Sequence, residues 1–100
     1  MKQARFLNSA EKELFEAAYY YESQVNGLGT EFISAIEDAV REIVKKPASY
    51  PVQKYNLRKF VVPRFPFNII YRDDPDEITI IAIAHQKRRP YYWIDRLSGE

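Results

Sequence analysis

Apolar positions follow a helical period through the first half of the chain and a two-residue alternation through the second. Leu14, Ala18, Tyr21 and Val25 recur at intervals of three and four, the spacing of one buried helical stripe. Asn8 and Ser9 are good N-caps for that helix, and Glu11 stands three residues after Asn8 in a capping-box arrangement. Glu11, Glu13 and Glu16 fall early in it, at the positive end of the helix dipole. Asn26-Gly27-Leu28-Gly29 ends the first helix near Val25, with Gly27 suited to a left-handed position. A second helix from Gly29 or Thr30 to about Lys46 carries the stripe Phe32, Ile33, Ile36, Val40 and Ile43, and Pro47 stops it. So short a break predicts an antiparallel helical hairpin.

Four segments read as strands: Gln3–Leu7 before the helices, then Leu57–Val62, Phe67–Arg72 and Glu77–His85 after them. Asp73-Asp74-Pro75-Asp76 is a turn sequence joining the last two, without the spacing or glycine of a calcium loop. Setting Arg72 opposite Glu77 places Tyr71 on Ile78, Ile69 on Ile80 and Phe67 on Ala82, all on one surface. That surface is expected to face the helices. Extended further, the register brings Arg64 towards His85, with Pro66 interrupting the ladder. The order β-α-α-β-β-β then describes a single α+β domain over residues 1–100, a helical hairpin packed on one face of a mainly antiparallel sheet. The reverse of the sheet is left for function.

Composition narrows the chemistry. Cysteine is absent, which removes thiolate metal sites, cysteine nucleophiles and disulfides, and a single histidine argues against a histidine-built zinc site. No apolar run reaches the ~20 residues of a membrane span, and the N-terminal segment lacks the apolar core of a signal peptide, so a soluble cytoplasmic protein is expected. No glycine-rich phosphate loop is present and no cofactor is implied. The net charge of +1 hides an asymmetry. Residues 1–50 hold 6 Lys/Arg against 8 Asp/Glu, and residues 51–100 hold 9 against 6. From Lys54 to Arg72 five basic residues occur with no acid, and Lys87-Arg88-Arg89 is a second basic run. The second half therefore offers a cationic surface to phosphates or to an acidic partner, unless these residues are merely solvated edges.

Several segments in order carry a family resemblance: Ala17-Ala18-Tyr19-Tyr20-Tyr21-Glu22; Gly27-Leu28-Gly29 with Phe32; Lys46-Pro47 with Tyr50-Pro51; Arg58; Arg64-Phe65-Pro66-Phe67-Asn68-Ile69-Ile70-Tyr71; and Ala84-His85 through Arg88-Arg89-Pro90-Tyr91-Tyr92-Trp93. Together they resemble the ParE branch of the RelE/ParE toxins of type II toxin–antitoxin systems. The resemblance implies a plasmid-stabilisation type of toxin held inactive by a cognate antitoxin. It further implies either inhibition of DNA gyrase by binding, as in the ParE type, or ribosome-dependent mRNA cleavage, as in the RelE type. Antitoxin contacts are expected at Leu14, Tyr20, Tyr21, Phe32 and Ile36, and target contacts at Arg58, Arg64, Arg72, Lys87, Arg88, Arg89, Tyr92 and Trp93.

Cleavage through a 2′-hydroxyl needs a proton acceptor, cations beside the phosphorane and a proton donor to the leaving oxygen. His85, Arg88, Arg64 and Tyr92 are the candidates, expected with Arg72 and the basic tail near one end of the sheet. One departure weighs against cleavage. The place three residues before Tyr71, where RelE-like nucleases commonly carry a catalytic arginine, holds Asn68. Each candidate also has a structural reading: His85 as a hydrogen-bonded strand end, Phe65-Pro66-Phe67 as core, and Tyr91-Tyr92-Trp93 as a pin for the C-terminal tail.

Overall fold

A computed structural model describes residues 1–99. Its elements are β1 (Gln3–Phe6), α1 (Asn8–Gln24), α2 (Leu28–Lys45), β2 (Arg58–Val61), β3 (Phe67–Asp73) and β4 (Glu77–His85). Short 3-10 turns occupy Pro47–Ser49, Lys54–Asn56 and Ile94–Ser98. The sheet order is β1-β4-β3-β2, with β1 parallel to β4 and the other pairs antiparallel. The expected α+β layout is therefore the observed one. Among the described residues no helix is long and apolar enough to cross a membrane.

Both helices lay their inner stripes on the sheet. Ala10, Leu14 and Ala18 of α1 and Phe32, Ile36, Ala39 and Ile43 of α2 are buried. Phe67 meets Phe32 at 4.9 Å between ring centroids and Tyr21 at 6.3 Å, and Phe65 joins the same cluster. The Phe-Pro-Phe segment is thus core. Val25, expected in the α1 stripe, is 57% exposed because the helix ends one residue before it. The hairpin turn rests on Gly27 and Gly29. Gly27 sits at φ +85°, and a Cβ on Gly29 would stand 2.4 Å from the carbonyl oxygen of Ala18. The capping box at Asn8 does not form, since α1 already includes Asn8 and its N-cap is Leu7. Instead the Glu22 carboxylate accepts hydrogen bonds from the N–H groups of Gly27 and Gly29, satisfying donors where α2 begins.

The β3–β4 register differs from expectation in a consequential way. Asp73 pairs with Ile78, Arg72 with Thr79 and Tyr71 with Ile80, so Arg72 does not face Glu77. A bulge then intervenes at Ile81, after which Ile70 pairs with Ala82, Ile69 with Ile83 and Phe67 with His85. One extra residue reverses the faces of everything beyond it. Phe67, Ile69 and Tyr71 still face the helical side, but Ala82 moves to the reverse, while Ile83 and His85 turn to the side of Phe67. Aspartate chemistry fixes the turn end. Asp74 receives Arg72 Nε at 2.8 Å and the Thr79 hydroxyl at 2.7 Å. Partial burial works to raise its pKa; these two bonds and the charges of Arg72 and Arg5 outweigh it, leaving Asp74 below its ordinary value.

Candidate functional site

The reverse of the sheet is not open across its width. Residues after His85 turn back over it and bury Trp93, which is only 4% exposed. Between this tail and the strands lies a groove of about 230 Å³. Its floor comes from Lys59 of β2, Asn68 and Ile70 of β3 and Ala84 of β4. Lys59 pairs with Ile70, and Asn68 with Ala84, so all four project from the same face. Its walls are Gln53, His85, Gln86 and the run Arg88–Trp93. Three cations, three side-chain amides, one imidazole and three aromatic rings line the groove, and among the described residues no carboxylate does.

The histidine is oriented by its own loop. His85 Nδ1 accepts the Lys87 N–H at 3.0 Å, and its ring meets Phe67 edge-on at 5.1 Å. Nδ1 therefore turns its lone pair to the loop backbone, leaving Nε2 as the ring nitrogen free to meet another group. Arg88 stacks its guanidinium over Tyr92, 3.8 Å from the ring centroid.

The tail is held by a polar knot that sequence reading missed. β1 stops pairing with β4 at Ile80, and the next carbonyl and N–H along that edge need partners. Glu13 of α1 supplies one: its Oε1 accepts the Ile83 N–H at 3.0 Å. Arg96 supplies the other, donating to the Ile81 carbonyl at 3.0 Å while gripping both Glu13 oxygens at 2.8 Å. The Tyr92 hydroxyl donates to Glu13 Oε2. Burial first, then this bond and the Glu13 charge, drive the Tyr92 pKa far above its usual value. Its hydroxyl is thus a fixed donor engaged with protein, not a group placed to exchange a proton with a substrate. The only forewarning in sequence is an acid on α1 whose position suits the helix dipole equally well.

The remaining target candidates are scattered. Arg58 donates to the Tyr50 carbonyl at 2.8 Å and lies on the helical side of β2, opposite Tyr71. Arg72 lies at the Asp74 turn, the opposite end of the sheet from His85, so it does not join the tail cations. Arg64 is at the His85 end, but its side chain pairs with Glu31 of α2 at 2.8 Å and does not line the groove. Phe67, not Arg64, stands opposite His85. Trp93 is only 4% exposed and reaches the groove as part of its wall. Of the candidates, His85, Arg88, Arg89, Tyr92 and Trp93 meet in the groove, with Lys87 on the adjoining exposed turn.

The expected antitoxin contacts divide likewise. Leu14, Phe32 and Ile36 are core, and Tyr21 is half-buried against Phe32 and Phe65, whereas Tyr20 is exposed. The outward surface of the hairpin is built from different residues. Phe15 is 55% and Tyr19 80% exposed, and an apolar furrow bounded by Phe6, Phe15, Ile33 and Val40 runs between the helices.

Comparison with known proteins agrees with this architecture. Residues 4–90 match the family model described as ParE toxin of type II toxin-antitoxin system, parDE. Among solved structures, one titled chromosomal ParDE TA system from P. aeruginosa superposes with a TM-score of 0.69 at 21% sequence identity, covering 85% of this chain and 96% of that one. No curated protein matches the chain.

Proposed function

The chain belongs to the ParE toxin family of type II toxin–antitoxin systems, and from that premise we propose that it arrests growth by binding DNA gyrase and is neutralised by a cognate antitoxin. The observation that carries the binding reading is the composition of the groove. It presents cations and rings for contact, but the Tyr92 hydroxyl is committed to Glu13, and Asn68 stands where a nuclease of the RelE type would place an arginine. A contact inhibitor requires a shaped, charged surface and no proton relay. The antitoxin, in this reading, covers the hairpin furrow beside Phe15 and the adjoining exposed ring of Tyr19.

A second reading, mRNA cleavage on the ribosome, is favoured by one observation: His85 and Arg88 do share the groove. The two readings separate in parallel assays of the purified toxin. Inhibition of gyrase supercoiling with transcripts left intact supports the first. Rapid cleavage of translated mRNA, abolished in His85→Ala and Arg88→Ala, with supercoiling untouched at excess toxin, replaces it with the second.

A further inference from the structure

The flank of α2 away from the hairpin furrow overhangs β2, the last strand of the sheet, and leaves a cleft of about 310 Å³. Ala35 and Ala39 of α2 leave it open on one side, and Phe60 and Pro63 line it with apolar surface on the other. Phe60 pairs with Ile69, so the cleft lies on the helical side of the sheet. Glu31, Asp38 and Glu42 stand at its rim against one cation, Arg64. These acids are held only in exposed surface pairs, Glu31 with Arg64, Asp38 with Arg41 and Glu42 with Lys45. Such pairs contribute little and exchange partners readily. An apolar interior inside an acidic rim suits an apolar group carried beside cations.

The chain itself carries such a group. In the Lys54–Asn56 turn the backbone is left-handed at Tyr55 (φ 63°) and Asn56 (φ 58°), and Tyr55 is 60% exposed. Tyr55 meets Tyr91 at 6.4 Å and Lys54 lies 5.1 Å from the Tyr91 ring, so this knob and the basic tail brace one another. Lys54, Lys87, Arg88 and Arg89 have no carboxylate partner among the described residues. Non-glycine residues keep a left-handed backbone only where surrounding contacts impose it. Of the four that do, Tyr55, Asn56 and Tyr91 build the knob, and Arg64 (φ 72°) stands at the cleft. The knob cannot fill the cleft of its own molecule. It stands at the mouth of the groove on the reverse of the sheet, where Tyr91 belongs to the groove wall, whereas the cleft opens on the helical side.

We propose that this chain self-associates head to tail, with the Tyr55 knob of one copy seated in the α2–β2 cleft of the next and Lys54 and the adjoining basic turn meeting Glu31, Asp38 and Glu42. The case for a second copy is that both halves of the contact are on this chain and are opposite in charge. A knob and a cleft on different surfaces make a heterologous contact, which adds copies in a row or a ring instead of stopping at a two-fold pair. One ring and a few exposed charges bury little area, so the association is weak and depends on concentration. Because the knob borders the groove, a seated copy covers the groove mouth. That consequence rests on the reading of the groove given above, whereas the association does not.

The test is sedimentation velocity of the purified full-length chain without antitoxin. Its mean sedimentation coefficient should rise between about 10 and about 500 µM. The association should weaken at least about fivefold when salt is raised from about 0.05 to about 0.5 M. Asp38→Lys with Glu42→Lys removes the cleft's charge, and Lys54→Glu with Tyr55→Ala removes the knob. All four positions are exposed, so both variants should keep the parent's circular dichroism. Each variant alone should stay monomeric over the same range. Mixed in equal amounts they should form a one-to-one complex and nothing larger, because one retains only a knob and the other only a cleft. A monomeric parent, or variants that associate as the parent does, overturns the proposal. So does a mixture that stays monomeric where the parent associates, which would mean a two-fold contact between like surfaces. A monomeric parent whose antitoxin affinity falls in the cleft variant would reassign the cleft to the antitoxin. Monomeric behaviour with supercoiling inhibition intact overturns self-association and leaves the gyrase reading standing.

Discussion

Glu13 does more than any other single residue to shape the candidate site, because its two oxygens accept from Arg96, Tyr92 and the backbone of Ile83 at once. With side-chain exposures of 15% for Glu13 and 16% for Arg96, the pair is desolvated enough that removing one partner strands the other. Glu13→Ala should therefore cost about 3 kcal/mol and lower Tm by more than about 10 °C. Glu13→Gln, which keeps an acceptor, should cost less. A thermal melt of Glu13→Ala within about 2 °C of the parent would show that the tail is held by other contacts. Asp74 gives a pH-dependent counterpart. Its folded pKa lies below the ordinary value of 3.8, so its contribution is fully present above that value and is lost as pH falls through the folded value. Asp74→Asn should accordingly melt below the parent at neutral pH, with the gap closing in acid; a gap independent of pH would contradict the assignment. Neither role was legible beforehand. Helix periodicity says that Glu13 is polar and early, but its partner lies 83 residues away along the chain and is chosen by where β1 stops pairing.

At the scale of elements, helices and strands were legible because their periods are local, whereas the register was not. The turn falls where its residues predict, but Asp73 belongs to β3, and the loop closes with Asp73 opposite Ile78 instead of Arg72 opposite Glu77. The bulge at Ile81 has no sequence signature, since Ile80-Ile81-Ala82-Ile83 is apolar throughout and suits either face. Burial on both sides removes the alternation that would have fixed the phase. The bulge leaves an Ile81 carbonyl for Arg96, so the irregularity and the tail anchor are parts of one arrangement. The helical hairpin is the opposite case. Its glycines announced the turn, and the structure adds why Gly29 is required: α1 and α2 approach so closely that a methyl group collides with the Ala18 carbonyl. Gly29→Ala must part the helices and should destabilise by about 2 kcal/mol or more, read from the urea midpoint. Gly27→Ala meets no atom within 4 Å and carries only the left-handed backbone penalty, about 1 kcal/mol. Equal losses from the two would mean that close packing is not what Gly29 provides.

On the scale of the whole molecule, the sheet separates two surfaces of unlike chemistry. Over the helices lies an apolar furrow edged by Phe15, with Lys12, Glu16 and Tyr19 on the adjoining surface of α1; under the strands lies a groove with no acid among the described residues. Sequence patterning placed the hairpin on one face, left the reverse for function and set the basic tail near one end of the sheet, but chose inward residues such as Phe32 and Ile36 for the partner surface. A helical stripe marks what packs inside, whereas outward-facing rings such as Phe15 and Tyr19 show no periodic signal of their own. If the furrow takes the antitoxin and the groove the target, the two activities should be genetically separable. Phe15→Glu with Tyr19→Glu adds charge to positions 55% and 80% exposed, so the fold should survive. Loss of two aromatic anchors that the antitoxin would cover, at about 1–2 kcal/mol each, should reduce antitoxin affinity by about 100-fold. Such cells should stop growing even when the antitoxin is co-expressed. Lys59→Ala with Arg88→Ala should do the reverse, keeping antitoxin capture while relieving growth arrest. Rescue of the furrow variant by normal antitoxin levels, or loss of capture in the groove variant, would place both functions on a shared surface instead of on opposite sides of the sheet.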